Sequence, residues 1–332
     1  MISIAKVAQR AQVFVIASLA LFFAFPLLTI VAKYVRPTDV LNTLTDQSLR
    51  DVWWFTFWQA IASTLLTLVV ALPFTWAVSR HTFRSSRILT GLITVPFLMP
   101  AVVVAAGVKA IVPNTAVPAI LWAHVVFNVA VVVRMVGPQW TLLDHALEDT
   151  AADLGAGRIR TFFYVVIPQI RSSLRNAASI VFLFCFTSFA VVAILGGISH
   201  RTIESEIFTQ AVRLGDTRTA TSLALLQAIV VLIVLRIGGS GVGNADQALS
   251  IQTRSETRSP LRPFLFLAAY LPTAIVFTPL VAVLLRSITV NGHVSFSGYQ
   301  WLFNGSTEAL GINMPRTLFT SFTFACICAV LA

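Results

Sequence analysis

Two groups of residues in this chain have types and spacing that could do chemistry. The first lies in LEDTAADLGAGRIRTFFYVVIP, Leu147 to Pro168. Glu148, Asp149 and Asp153, with Asp144 just upstream, crowd ahead of Gly155 and Gly157, the basic pair Arg158 and Arg160, and Pro168. No nucleophile–base arrangement and no G-x-S-x-G accompanies these carboxylates. They offer an acidic surface and a basic arm on either side of a glycine corner, which is chemistry for docking rather than for bond making. The second group is His124 and Asn128 in ILWAHVVFNVAVVVR. At a spacing of i and i+4 they share one helix face. Polar groups inside an apolar run either line a cavity or hydrogen-bond a neighbouring helix.

Other candidate chemistry is absent from the sequence. GGSGVGN, Gly238 to Asn244, has the glycines of a phosphate loop but no following Lys-Ser/Thr, and it follows an apolar run rather than a strand. It reads as a linker, so any ATP chemistry must reside in a separate subunit and no cofactor is expected in this chain. The five histidines show no ligand spacing, and Cys185, Cys326 and Cys328 lie inside apolar runs as small core residues. No metal site is expected.

The elements that must position these residues follow from composition. The 332 residues are 57% hydrophobic and 11% charged, with mean hydropathy +0.85. Soluble domains carry roughly 25% charged residues, so this chain lacks the polar surface to face water all round. Its apolar runs reach the roughly 20 residues a helix needs to cross a hydrocarbon core, and unpaired backbone groups in lipid force such runs to be helical. The fold class is an all-α polytopic membrane protein with about eight spans. They are expected at Val13–Ala32, about Trp53–Val78, Ile88–Val112, Pro118–Val136, Leu174–Leu195, Ala220–Leu235 and Phe264–Leu285, with the last starting near Thr317. The first is too long for a signal peptide and reads as a retained anchor. The aromatics of WWFTFW suit a membrane interface.

The net charge of +10 needs no nucleic acid to explain it, because basic residues hold cytoplasmic loops in place. With the N-terminus inside, about fourteen Lys and Arg fall on the cytoplasmic side against about nine outside. That orientation puts Leu147–Pro168 in the cytoplasm, within reach of a soluble partner. The carboxylates Asp39, Asp46, Asp51, Glu204, Glu206, Asp216 and Glu308 fall in external loops. No Asp or Glu lies inside a span, which disfavours an ion-driven carrier.

A weak internal repeat organises the chain. FAFPLLTIVAKYV (Phe23–Val35) resembles IVFTPLVAVLLRSI (Ile275–Ile288), and VWWFTFWQAIAS (Val52–Ser63) resembles TLFTSFTFACIC (Thr317–Cys328) more loosely. Residues 1–235 form a first unit of six helices, 236–263 a polar linker, and 264–332 the incomplete start of a second unit. Between the spans, Leu143, Ala146, Leu147, Thr150, Ala151 and Leu154 fall on one face of a helix over Trp140–Leu154. Gly155 and Gly157 turn the chain, and Pro168 disfavours helix at Val166–Ile167 before the next span.

On these residues the chain resembles permease subunits of binding-protein-dependent ABC importers, whose cytoplasmic EAA loop reads Glu-Ala-Ala, three residues, Gly, and about a dozen residues to Pro. DTAADLGA followed by VVIP fits with Asp149 in the Glu position, Thr150 and Ala151 in the Ala positions, then Gly155, Ala156 and Pro168. Asp for Glu and Thr for Ala are departures. The resemblance implies that Glu148, Asp149 and their neighbours form a coupling helix, at about 137–170, seated in a cleft of an ABC ATPase subunit. It also implies an extracytoplasmic solute-binding protein as partner, with a second permease copy possible if the chain ends at Ala332. ILWAHVVFNVAVVVR and TIESEIFTQAVRLGDTRTATSLALLQ look like the thiamine and iron(III) branch, in which two six-helix halves share one chain. Thiamine, iron(III) or a polyamine remain open as solute, and a non-transporting scaffold remains the alternative role.

Overall fold

The computed structural model describes residues 4–113, 116–197, 199–238, 255–256, 262–290, 292–303 and 313–331. The elements are almost all helical. α1 (Ile4–Tyr34) and the short α2 (Pro37–Thr45) lead into α3 (Gln47–Arg80), whose N-terminus is capped by Asp46 accepting from Ser48 and Leu49 N–H. There follow α4 (Ser86–Leu98), α5 (Ala101–Ile111) and α6 (Ala116–Thr141), then α7 (His145–Asp153), α8 (Arg158–Thr161) and α9 (Ile167–Phe186). The chain continues through α10 (Ala190–Leu195), α11 (Ile203–Phe208), α12 (Thr217–Gly238), α13 (Arg262–Ser287), α14 (Ser297–Phe303) and α15 (Met314–Leu331). Two-residue strand pairs join His81–Thr82 to Ser255–Glu256 in parallel and Thr289–Val290 to His293–Val294 antiparallel.

The core is α3 packed along α6, with α9 filling the groove between them. The buried face of α3 is built from small and hydroxylated residues: Thr56, Ala60, Ser63, Thr64, Thr67, Ala71 and Thr75. Small side chains let helix backbones approach closely where lipid supplies no hydrophobic drive for association. Their hydroxyls are satisfied locally, with Thr56, Thr64, Thr67 and Thr75 each donating to the carbonyl four residues earlier at 2.6–2.7 Å.

Helix α13 docks onto this core through α5, α4, α3 and α6. Its Pro279 carries no N–H, so the Ile275 carbonyl loses its intrahelical partner. The Trp122 indole of α6 donates to that carbonyl at 3.0 Å. Beside it, Gly107 of α5 faces Pro279 so closely that a Cβ there would lie 2.1 Å from the Pro279 carbonyl oxygen.

Four expectations change. Among the described residues six helices are long and apolar enough to cross a membrane, or seven if a bent pair counts as one span, against the eight or so read from the sequence. The expected span Ile88–Val112 is that pair, α4 and α5, bent by 103° at Met99–Pro100. Pro100 pushes Met99 into extended backbone (φ −81°, ψ 149°), which ends α4. The expected span Leu174–Leu195 is broken at Thr187–Phe189, and α9 begins with the polar IPQIRSSLRN, so it is no full-length apolar span. Cys326 and Cys328 are exposed on α15 rather than in the core, whereas Cys185 is buried.

The interval 236–263 lies mostly outside the described residues, as do most of GGSGVGN and Glu308.

Candidate functional site

The acidic stretch forms α7, and its two ends are set by local chemistry. Asp144 is the N-cap, its carboxylate accepting from the Ala146 N–H at 2.9 Å, and Glu148 sits in the first turn where a negative charge complements the helix dipole. At the other end Gly155 adopts φ +82°. Its N–H bonds to the Ala152 carbonyl and the Ala156 N–H to the Ala151 carbonyl, both at 2.9 Å. This paired closure is the Schellman turn, whose left-handed residue disfavours any side chain with a Cβ. The glycine of the motif is therefore what lets the chain reverse.

The helix is shorter than the expected Trp140–Leu154. Trp140 closes α6, where it is buried and its ring lies 6.2 Å from that of Phe162. Residues Leu142–Asp144 form a non-helical hinge before α7. Leu143 is buried beneath the loop, while Leu147 is exposed and Leu154 is 84% exposed. Asp149 and Thr150 are exposed, Ala151 and Ala156 half-buried, and the Thr150 hydroxyl donates to the Ala146 carbonyl at 2.7 Å. That back-bond satisfies the hydroxyl internally, so Thr150 fits at an alanine position.

Pro168 does not break the chain as the sequence suggested. Val166 (φ −73°, ψ −55°) and Ile167 (φ −57°, ψ −44°) are both helical, and Pro168 lies in the first turn of α9. A π-helical turn at Phe162–Val166 precedes it, with the Ile167 N–H bonding to the Phe162 carbonyl. The wider turn loosens the segment in which a proline ring would otherwise press on the carbonyl four residues before it. Arg158 through Phe186 thus run as one nearly continuous helix.

Glu148 does not point outward with Asp149. It pairs with Arg80, the last residue of α3, and the same guanidinium donates to the Leu143 carbonyl at 2.7 Å. Arg80 is 4% exposed and Glu148 31%. Arg80 lies in SRHTFRSSR, Ser79–Arg87, and nothing in a stretch of several basic residues marks the one that turns inward.

His124 and Asn128 lie in the packed core between α3, α6 and α9, each 2% exposed. Ser63 Oγ and His124 Nδ1 share a hydrogen bond of 2.9 Å. Asn128 Nδ2 donates to the His124 carbonyl at 2.8 Å and approaches Cys185 Sγ at 3.5 Å. Gln59 Nε2 donates to the Cys185 carbonyl at 2.9 Å. Gln59 and Ser63 belong to this polar layer and were not singled out from the sequence. Among the described residues no group of three or more His, Cys, Asp or Glu side chains could hold a metal ion.

Residues 69–244, more than half of the chain, match the family described as the binding-protein-dependent transport system inner membrane component. The chain belongs to that family. A thiamine transport system permease protein of Brucella abortus (strain 2308) is 29% identical over 218 residues, covering 58% of this chain and 40% of that protein. That of Escherichia coli (strain K12) is 28% identical over 214 residues, with the same coverage. This chain thus spans about two-fifths of the length of these curated relatives. A crystal structure of a bacterial ABC transporter involved in the import of the acidic polysaccharide alginate superposes with TM-score 0.60, at 12% identity, over 70% of this chain and 94% of that one. The shared fold is that of an ABC permease in the inner membrane, crossed several times by this all-α chain.

Proposed function

We propose that this permease forms part of the transmembrane pathway of an ATP-driven importer for thiamine, with α7 as its coupling helix. The observation that carries the coupling role is the outward presentation of Asp149, Leu147 and Leu154 on a short helix closed by a left-handed glycine. An exposed carboxylate beside exposed leucines suits a cleft with an apolar floor and a basic rim, as an ATPase subunit would provide. Thiamine is favoured over iron(III) because the two curated relatives named above are thiamine transport system permease proteins. ATP would be bound by the partner subunit, and a solute-binding protein would deliver solute to the outer mouth. Residues 1–235 would form the first six-helix unit, 236–263 the linker and 264–332 the beginning of a second unit.

The test is uptake of labelled thiamine, and in parallel of labelled ferric iron, by cells with and without the gene. Thiamine uptake lost with the gene supports the assignment, and loss of iron uptake alone moves the solute. Within the same assay, Asp149→Lys and Gly155→Leu are expected to reach the membrane in normal amount but to abolish uptake while ATP hydrolysis continues. Normal uptake by Gly155→Leu refutes the coupling role of α7.

A further inference from the structure

We propose that Arg80 is a positioning residue that ties the coupling helix directly to the central helix of the bundle, so that displacement of α7 reaches α3 without passing through the hinge at Leu142–Asp144. The inference rests on the coupling role given to α7 above.

Arg80 ends the 34-residue α3, which packs against α6, α9 and α13. Its guanidinium holds two points at once: the backbone carbonyl of Leu143, before α7 begins, and the carboxylate of Glu148, inside the first turn. The planar fork of arginine can make both bonds together, which the single ammonium of lysine does less well. The hinge residues are thereby bracketed. Without the bracket α7 would be attached to α6 only through three non-helical residues, and its remaining packing, on α8 and the π-helical turn, leads to α9 rather than directly to α3.

Burial separates this pair from an ordinary surface ion pair, which contributes little because water screens it and two long side chains must be ordered. Arg80 is 4% exposed, so its charge is removed from water and depends on the partners it has. The position also suits a cation, since the C-terminus of α3 carries the negative end of the helix dipole. The arrangement divides the acidic residues of α7 by role. Glu148 faces inward and fixes the helix to the permease, whereas the neighbouring Asp149 is exposed and available to a partner. Adjacent carboxylates that look interchangeable in LEDTAAD do different work because successive helical residues point about 100° apart.

Two measurements on the complete chain test the tie. The first is hydrogen exchange of the purified permease in lipid nanodiscs, for the wild type, Arg80→Gln, Glu148→Gln and the double variant. Amides of residues 145–153 are expected to exchange at least about tenfold faster than wild type in each single variant, and no faster in the double than in the singles, while residues 116–141 of α6 stay as protected as before. Unchanged exchange in 145–153 overturns the proposal. So does an equal loss of protection in α6, which would make Arg80 a general stability residue. The second is labelled-thiamine uptake per ATP hydrolysed in proteoliposomes holding the assembled transporter. Arg80→Gln is expected to keep its ATPase activity while that ratio falls at least about tenfold. A normal ratio in Arg80→Gln beside a collapsed ratio in Gly155→Leu sinks the tie and spares the coupling helix. Normal ratios in both sink the coupling reading itself. The exchange measurement needs no solute and decides the tie independently of whether thiamine is carried.

Discussion

Gly107→Ala should weaken the docking of α13 on the rest of the permease. The Cβ it introduces would lie 2.1 Å from the Pro279 carbonyl oxygen, 2.8 Å from its carbonyl carbon and 2.9 Å from Val283 Cγ2. A carbon–oxygen contact needs a little over 3 Å, so α5 and α13 must separate by roughly 1 Å at that point. The nearest obstacle is backbone, so no rotamer change relieves it. Overpacking of this kind costs about 1–3 kcal/mol, while replacing a helical glycine by alanine returns up to about 1 kcal/mol of helix propensity. Gly91→Ala in α4 isolates the steric part, because a Cβ there meets nothing within 4 Å. It shares the propensity gain and should be neutral or stabilising. The assay is thermal unfolding of the purified protein in one detergent, with cysteine cross-linking between α5 and α13 as a local probe. A difference of 1–3 kcal/mol corresponds to a melting point roughly 2–10 °C lower for Gly107→Ala than for Gly91→Ala. Separation of the helices should also leave Trp122 short of the Ile275 carbonyl. Equal melting points and equal cross-linking for the two variants would refute the contact.

The polar layer in the core makes a second prediction. If Ser63–His124 is an interhelical packing bond, a cycle through Ser63→Ala and His124→Phe should return a coupling energy near the ~0.6 kcal/mol typical of such bonds in membranes, with uptake retained in Ser63→Ala. A strong uptake defect in a stable Ser63→Ala protein would place the layer in the transport pathway instead. Glu204 gives a pH prediction. Its partial burial raises its pKa above the ordinary carboxylate value, against a smaller opposing effect of the hydrogen bond from Gln227 at 3.0 Å. The folded state then holds the proton more tightly than the unfolded one, so this contribution to stability is complete below the ordinary pKa and is lost as pH rises through the raised one. Glu204→Gln should flatten the corresponding slope in melting temperature as pH rises above the ordinary glutamate range. An unchanged slope would mean that Glu204 titrates normally. At Asp216 the direction is opposite. Hydrogen bonds from the side chain and N–H of Thr219 lower its pKa, so its contribution to the start of α12 is present above the ordinary aspartate range and fades on acidification. Replacing it by alanine should cost about 1 kcal/mol at neutral pH, seen as faster amide exchange in the first turn of α12.

The class of the fold and the place of the short acidic helix α7 were legible in the sequence because both follow from short-range rules. Apolar runs of membrane-spanning length must be helices, since lipid offers backbone groups no other partner. A glycine after an amphipathic acidic segment closes the helix, because only that residue takes φ +82° without strain. Local chemistry stops there. Whether Pro168 breaks the helix depended on a wider turn five residues long that no spacing rule displays. Pro100 marks where α4 must end, but the 103° between α4 and α5 is not written in the proline, and both helices pack against α13 and α6. Which arginine of SRHTFRSSR turns inward, and which of two adjacent carboxylates it meets, could be settled only by tertiary structure: Arg80 and Glu148 are 68 residues apart, and their pairing exists because α3 and α6 end side by side. Sequence records the periodicity that sets each helix and the residues that cap it. Packing decides which of those residues are removed from water, and burial is what turns an ordinary charge or hydroxyl into one that must have a partner.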